Sequence, residues 1–186
     1  MSDDNDRLLS RQTWQPKYQK NGVKAIGKIL EKLTALLDQN HARYRVVEHS
    51  SAGKSEDVAK IRGTQIGQGA KALVCTLKGN GVKQTILAVL PADQQADLDK
   101  IAANFGVKKA SLSSPAEVSA LTDCVFGAIP PFSFHENLLL IADPSLLQRY
   151  DELAFNAGTL ERSLILNTAD YARIAQPRLV EFIRKD

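Results

Sequence analysis

The feature that most constrains the fold is a pair of β-rich runs separated by a short glycine-containing link. Residues 70–77 and 83–90 are dominated by Val, Ile, Leu, Ala and Thr, and Lys78-Gly79-Asn80-Gly81-Val82 lies between them. An Asn-Gly pair between two such runs is a strong local signal for a β-hairpin. The sequence therefore predicts two antiparallel neighbouring strands, around which the rest of the chain is arranged.

Helical and strand patterns alternate along the rest of the chain. Apolar residues recur at three- and four-residue steps from 23 to 38, which predicts an amphipathic helix. Further helices are predicted at 55–62, 93–105, 114–121, 168–174 and 177–184, and strands at 44–48, 107–112, 124–129, 138–142 and 163–166. Short strands mixed with helices favour an α/β fold with a mixed, partly antiparallel sheet or distorted barrel surrounded by helices.

The domain organisation is predicted from composition and charge. The 186-residue chain is expected to form one domain over residues 23–186, preceded by a polar, basic N-terminal arm over residues 1–22. Basic residues accumulate from Arg7 to Lys32 with little counter-charge, although the net charge is only +3. Such a basic front end is compatible with a polyanionic partner or with an ordinary solvated helix surface.

Several function classes receive no support from the sequence. There is no secretory signal pattern and no apolar run of about 18 residues that would cross a membrane, so a cytoplasmic protein without a membrane partner is expected. Cys75 and Cys124 lie in apolar surroundings, which predicts buried free thiols. Neither they nor the three histidines have metal-ligand spacing, and no cofactor is predicted.

Two glycine-containing segments have part of the pattern of a nucleotide-binding site. Ser51-Ala52-Gly53-Lys54-Ser55 lies between a strand and a helix, but a phosphate-binding loop needs a glycine where Glu48 stands. A capped helix start, with Ser55 as the N-cap, is the preferred interpretation. The glycine-rich residues 63–71 follow a helix and lead into a strand, which is the reverse of the dinucleotide-binding order.

Two other segments are candidate site elements. Lys71 opens an apolar strand after the glycine-rich residues, where it is either a functional cation or a lysine at the sheet edge with its ammonium in water. Gly127-Ala128-Ile129-Pro130-Pro131 is a strand-like segment that runs into a double proline. Because neither proline has an N–H, this segment either holds backbone groups rigidly toward a ligand or closes a strand with a stiff turn.

Taken together, the Lys71 strand, the Gly-x-x-x-Pro pattern of residues 127–131 and the Glu48-His49 strand end resemble the YbaK/prolyl-tRNA-synthetase editing-domain family. The resemblance runs from about residue 42 to the C-terminus. Asn156 stands where some relatives carry a pocket residue, often histidine, and Ser133 stands where several have glycine. The Asn156 departure leaves open which amino acid the pocket accepts, and both departures leave open a non-catalytic module of the same fold.

The resemblance implies trans-editing: metal-free hydrolysis of the ester between a small wrong amino acid and the terminal adenosine of tRNA. It implies that Lys71 holds the terminal nucleotide and that the backbone from Gly127 to Pro131 positions the ester carbonyl and a water. The implied substrate-binding residues are Ala128, Ile129, Pro130, His49, Asn156 and Gly158. The implied partner is aminoacylated tRNA, and an aminoacyl-tRNA synthetase is a further candidate partner.

Two alternatives stay open from the sequence. One is a non-catalytic module of the same fold that binds tRNA or a synthetase without hydrolysis. The other, from a different class, is a nucleotide-binding hydrolase that uses the helix start at Gly53-Lys54-Ser55. Alanine, serine, threonine and cysteine are the amino acids that remain candidates for removal.

Overall fold

The computed structural model describes residues 27–52 and 54–185, which contain five α-helices and two β-sheets. The helices are α1 (Lys28–Gln39), α2 (Ser55–Arg62), α3 (Leu98–Phe105), α4 (Pro115–Thr122) and α5 (Thr168–Ala175). The strands are β1 (Tyr44–Glu48), β2 (Ala70–Gly79), β3 (Val82–Pro91), β4 (Lys109–Leu112), β5 (Leu138–Ala142), β6 (Glu152–Asn156), β7 (Arg162–Asn167) and β8 (Arg178–Leu179).

The larger sheet is built on the predicted hairpin. β2 and β3 pair antiparallel along their full length, and the two turn residues Asn80 (φ 54°) and Gly81 (φ 78°) both have positive φ. Positive φ at both central residues is what a type I′ hairpin turn requires, and Asn-Gly supplies it at low cost. β4 continues the antiparallel pairing on one side, whereas β5 and β8 add parallel strands on the other.

The smaller sheet is antiparallel, in the order β1-β7-β6. The predicted mixed, partly antiparallel α/β architecture is therefore confirmed. The alternative of a distorted barrel is not, because the described strands form two separate sheets and neither closes on itself.

The larger sheet is buried on both faces. Side chains alternate along a strand, so Leu87 and Val89 pack into one core with α1 and the smaller sheet. Ile86, Ala88 and Leu90 pack into a second core with α3. Burial on both faces explains why the hairpin strands read as nearly continuous apolar runs.

A cleft forms where the two sheets meet. Gly69, directly before β2, pairs with Ala154 of β6 in an isolated parallel bridge. This bridge brings the beginning of β2 next to β6. The site described below lies at this junction.

Several predicted helices need correction. The helix predicted at 93–105 begins only at Leu98, because the side chain of Asp97 accepts hydrogen bonds from the backbone N–H groups of Asp99 and Lys100 and caps it there. Ser55 is not the N-cap of α2: Lys54 occupies that position, without a side-chain cap. The helix predicted at 177–184 is wrong, since Arg178 and Leu179 are extended and pair with β5.

The strand predictions were wrong in two places. Residues 124–129 form no strand, because Gly127 has φ +81° and the two following prolines lack the N–H groups of a ladder. A strand at Glu152–Asn156 was not predicted. The strand predicted at 107–112 begins two residues later, at Lys109.

Both cysteines are buried and free, as predicted. Burial raises the pKa of Cys75 to about 12 and that of Cys124 to about 11. None of the helices in the described part of the chain has the length and apolarity needed to cross a bilayer. The predicted arm at 1–22, the basic residues before Gly27, and Gly53 lie outside the described residues.

Candidate active site

A cavity of about 220 Å³ lies at the junction of the two sheets. One face of α2 lines it with residues at helical spacing, ending in Arg62. The beginning of β2 contributes Lys71, and β6 contributes Phe155 and Asn156. Gly127 and Ile129 of the Gly-x-x-x-Pro loop (residues 127–131) form another part of the wall, so segments that are distant in the sequence meet there.

Lys71 is held in place at this cavity. Its side-chain nitrogen donates a hydrogen bond of 2.8 Å to the carbonyl oxygen of Gln94. Partial burial lowers the pKa of Lys71, and the nearby carboxylate of Asp93 opposes that shift. Since an ammonium has three N–H donors, two remain for a ligand.

The carboxylate of Asp93 is in turn fixed by Arg149. The guanidinium donates two hydrogen bonds of 2.7 Å to the two carboxylate oxygens, and this pairing holds the pKa of Asp93 below its usual range. The pair packs against Gly67, where an added Cβ would lie 2.8 Å from Arg149 Nη2 and from Asp93 Oδ2. The glycine at this position of the loop thus makes room for the ion pair beside Lys71.

The Gly-x-x-x-Pro loop is a rigid turn rather than a strand end. Gly127 is exposed with φ +81°, and the following residues are buried. The backbone N–H of Gly158 donates to the carbonyl oxygen of Ala128 at 2.8 Å. The hydroxyl of Tyr171, itself fully buried, donates to the carbonyl oxygen of Pro131 at 2.8 Å.

Two backbone donors of the loop remain available. The N–H groups of Gly127 and Ile129 make no hydrogen bond to any described residue, and both residues line the cavity. Pro130 and Pro131 have no N–H to donate. Unpaired backbone N–H groups on a fixed loop are suited to bind an oxygen that gains negative charge.

Asn156 ties this loop to the interior. Its side-chain Nδ2 donates to the carbonyl oxygens of Gly127 (2.7 Å) and Ala52 (3.3 Å). Its Oδ1 accepts from Arg62 Nη2 at 3.0 Å and from the hydroxyl of Ser163 at 3.2 Å. Because both N–H groups of the amide donate to carbonyl oxygens and its oxygen accepts two hydrogen bonds, the amide has one possible orientation. Neither of its N–H groups is left without a partner.

Arg62 and Ser163 complete this hydrogen-bond network. Arg62 Nε donates to the hydroxyl oxygen of Ser163 at 2.7 Å, and His49 Nε2 lies 2.7 Å from the same oxygen. Burial lowers the pKa of Arg62 to about 10, and no carboxylate in the described part of the chain pairs with its guanidinium. A half-buried arginine without a counter-ion at a cavity wall is an unusual feature of the site.

The structure brings together some of the predicted site residues and separates others. Those that line the cavity are Lys71, Gly127, Ile129 and Asn156. Those that lie behind the loop or support it are Ala128, Pro130, Pro131, His49 and Gly158. His49 reaches the cavity wall only through Ser163, and Gly158 acts on the loop through the carbonyl of Ala128.

Arg62 and Ser163 were missed by the sequence reasoning. A signal for Arg62 was present, because it continues the spacing of Ser55, Val58 and Ala59 along one helix face. Ser163 carries no signal of its own, since a serine in an apolar strand is ordinary. Ser133 closes a turn through a 2.6 Å hydrogen bond to the carbonyl oxygen of Leu138, and so it does not contact the cavity.

The cavity is therefore lined by a fixed ammonium, an arginine and two loop residues whose backbone N–H groups make no hydrogen bond within residues 27–52 and 54–185. In residues 27–52 and 54–185, no three His, Cys, Asp or Glu side chains form a group that could hold a metal ion. The arrangement is suited to bind an anionic or oxygen-rich group and to stabilise negative charge on an oxygen.

Comparisons with known proteins agree with this chemistry. The family model of the aminoacyl-tRNA editing domain matches residues 49–174. The multifunctional Ser/Thr-tRNA deacylase ProXp-y of Escherichia coli K12 is 64% identical over 154 residues, which cover 83% of this chain and 92% of that protein.

Solved structures share the fold at lower identity. A crystal structure of a candidate trans-editing enzyme for prolyl tRNA synthetase has a TM-score of 0.72 at 21% identity, and covers 87% of this chain and all of that one. A structure of a hypothetical protein has a TM-score of 0.72 at 18% identity, over 82% of this chain and 99% of that one. These likenesses show that both structures share the fold of this chain.

Proposed function

The chain belongs to the aminoacyl-tRNA editing domain family, and we propose that it is a trans-editing deacylase that removes a small wrong amino acid from mischarged tRNA. The observation that supports this proposal is the cavity lined by Lys71, Gly127 and Ile129, where the N–H groups of the two loop residues make no hydrogen bond to a described residue. A cation for the nucleotide and a donor pair for the ester carbonyl are the two parts that this hydrolysis needs.

The terminal nucleotide is assigned to Lys71. Its ammonium is already oriented by the carbonyl oxygen of Gln94, so little side-chain entropy is lost when a phosphate binds. The two remaining N–H donors make charge-assisted hydrogen bonds to phosphate oxygens, which are stronger than those between neutral groups. Lys71 thereby fixes the 3′ end in the cavity.

The ester is assigned to the Gly-x-x-x-Pro loop. The carbonyl oxygen of the aminoacyl group accepts hydrogen bonds from the N–H groups of Gly127 and Ile129. These donors are fixed before the substrate arrives, because the carbonyls on the same loop are bonded to Asn156, Gly158 and Tyr171. Preorganised donors of this kind typically contribute about 10²- to 10³-fold to the rate.

The chemical step is the attack of one water on the ester carbonyl carbon. The new C–O bond forms as the negative charge moves to the carbonyl oxygen, and the bond to the ribose oxygen then breaks. That ribose oxygen receives a proton from the water, with the neighbouring ribose hydroxyl assisting the transfer. The products are the free amino acid and tRNA with an intact terminal ribose. An activated ester needs positioning more than a covalent nucleophile.

Serine and threonine are the proposed substrates, since the relative at 64% identity is a Ser/Thr-tRNA deacylase. We place the protein in the cytoplasm, where aminoacyl-tRNA is made. A partner aminoacyl-tRNA synthetase would supply the choice of tRNA, because the described cavity has room only for the aminoacylated end.

The test is a panel of tRNAs charged with alanine, serine, threonine or cysteine, incubated with catalytic amounts of the wild-type chain. We expect multiple turnovers of seryl- and threonyl-tRNA, measured as release of labelled amino acid. Binding of these tRNAs with no release above the spontaneous rate would instead identify a non-catalytic module of the same fold.

A further inference from the structure

Arg62 is a cation in the cavity wall that has no role in the proposed hydrolysis. It lies at the last turn of α2 and lines the cavity. Its guanidinium has five N–H donors, of which one on Nε and one on Nη2 are bonded to Ser163 and Asn156. Among the described residues, the other three N–H donors have no partner, and the side chain is fixed at two points.

The neighbours of Arg62 do not explain its charge. Ser163 and Asn156 already bond to each other, and His49 also bonds to Ser163, so a neutral side chain at position 62 would leave few of their groups unsatisfied. Burying a cation without a counter-charge is costly, and the lowered pKa of Arg62 reflects this cost. The unpaired charge is best explained by an oxygen that the ligand brings.

The position of Arg62 identifies which part of the ligand it meets. The same Asn156 side chain bonds to Arg62 and to the carbonyl oxygen of Gly127, so Arg62 lies at the loop end of the cavity. Lys71 is anchored separately, through Gln94 and beside Asp93. Arg62 thus faces the aminoacyl group rather than the nucleotide.

We propose that Arg62 binds the side-chain hydroxyl of the aminoacyl group and makes the site selective for β-hydroxy amino acids. This inference rests on the proposed deacylase function. The α-ammonium of the same group is excluded as the partner because it is positively charged and has no acceptor. A hydroxyl oxygen can accept a charge-assisted hydrogen bond from the guanidinium, which has no carboxylate partner among the described residues.

The preference for seryl over alanyl groups follows from the hydrogen bond that an alanyl group cannot make with Arg62. Without the hydroxyl, a guanidinium N–H at the cavity wall loses its partner when water is displaced. Sites that hydrogen-bond a substrate hydroxyl reject analogues that lack it more strongly than apolar pockets discriminate by size. A hydrogen bond to a charged group corresponds to a preference of about 10- to 100-fold for seryl over alanyl substrates.

The experiment measures binding of two non-hydrolysable analogues, in which serine or alanine is joined through an amide to the 3′ position of adenosine 5′-phosphate, so that each analogue carries a phosphate for Lys71. Wild-type chain and Arg62→Met are titrated with both. The wild type is expected to bind the seryl analogue at least about 10-fold more tightly, and the ratio should fall to near one in Arg62→Met. Arg45→Met is the matched control, because it removes an arginine from an exposed ion pair with Glu152 and leaves Arg62 in place; it should keep the wild-type ratio.

Equal binding of the two analogues by the wild type would overturn the inference, whatever Arg62→Met does. A parallel loss of affinity for both analogues in Arg62→Met, with the ratio kept, would also overturn it and leave Arg62 a structural role. Release of serine from seryl-tRNA by the wild type is measured alongside. If the wild type releases serine but binds both analogues equally, only the role of Arg62 is contradicted. If it prefers the seryl analogue but releases no serine, only the deacylase function is contradicted.

Discussion

The two ends of the cavity hold their functional groups in different ways. At the nucleotide end, Lys71 is oriented by one backbone carbonyl and by an ion pair whose side chains, Asp93 and Arg149, are each about a third exposed (31% and 33%). At the loop end, Gly127 is held by Asn156, which is 6% exposed and bonded to Ser163, which is fully buried. One end is a partly solvated charge, and the other is a closed network of hydrogen bonds.

This difference predicts which end of the cavity keeps its function when a supporting residue is substituted. A charge that acts on a phosphate keeps most of its effect when its surroundings move slightly, because electrostatic attraction falls off gradually with distance. Backbone donors that must meet one oxygen lose their effect when displaced by about 1 Å. Disturbing the supports of the loop should therefore affect the chemical step more than disturbing the supports of Lys71.

Among variants of the residues that support the two ends, the largest effect is expected from Asn156→Ala. The substitution leaves the carbonyl oxygens of Gly127 and Ala52 without a donor and removes the acceptor of Arg62. We expect kcat on seryl-tRNA to fall by about 100-fold with KM little changed. The free energy of unfolding should fall by about 1–3 kcal/mol, because buried polar groups lose their partners. Rapid-quench kinetics and thermal melting measure the two quantities.

Asn156→Asp is the matched variant for this prediction. It keeps the size of the side chain and the acceptor for Arg62, but it has no N–H for the carbonyl of Gly127 when ionised. Its kcat should fall as in Asn156→Ala. A wild-type kcat in Asn156→Asp would mean that the bond to Gly127 does not position the loop.

A smaller effect is expected from Asp93→Asn at the nucleotide end. Partly exposed ion pairs contribute little, so the free energy of unfolding should fall by less than about 1 kcal/mol and kcat should stay unchanged. The Asp93 carboxylate raises the pKa of Lys71, so its removal lowers that pKa further. Because phosphate binding needs the charged ammonium, the loss of affinity on the alkaline side should move to lower pH.

That shift is measured with the seryl amide analogue, since the natural ester hydrolyses spontaneously in alkali. Glu152→Gln is a matched control, because it removes a carboxylate from another partly exposed ion pair, with Arg45, on a strand that also borders the cavity. The pH profile of Glu152→Gln should follow the wild type. A fall in kcat for Asp93→Asn as large as that for Asn156→Ala would contradict the claim that the supports of the loop matter more for the chemical step than the supports of Lys71.

Much of the fold was predictable because local signals and tertiary structure agree. The Asn80-Gly81 turn specifies the hairpin by itself, and Pro115 after Ser114 marks the start of α4 with a capping box to Glu117. The failures lie where tertiary pairing decides. Residues 178–179 join the sheet by pairing with β5, and the strand at Glu152–Asn156 is mostly buried and so lacks an alternating pattern.

The site was only partly predictable for a similar reason. The resemblance singled out Lys71 and the Gly-x-x-x-Pro loop because both carry local sequence patterns. The supports of the loop come from distant positions, such as Tyr171 on α5 and Ser163 on β7, and no local pattern links them to it. Asn156 was expected to line a substrate pocket, and it lines the cavity. Its four hydrogen bonds give it a second, unexpected role as a positioning residue for the loop.

The central claim is that Lys71 and the Gly-x-x-x-Pro loop form one catalytic site. The most direct measurement is the single-turnover rate of serine release from seryl-tRNA by Lys71→Ala, with its thermal unfolding recorded in parallel. The rate should fall to the spontaneous background while the unfolding temperature stays close to that of the wild type, because the side chain makes a single hydrogen bond at a partly exposed position. A near-normal rate in a folded Lys71→Ala protein would contradict the account.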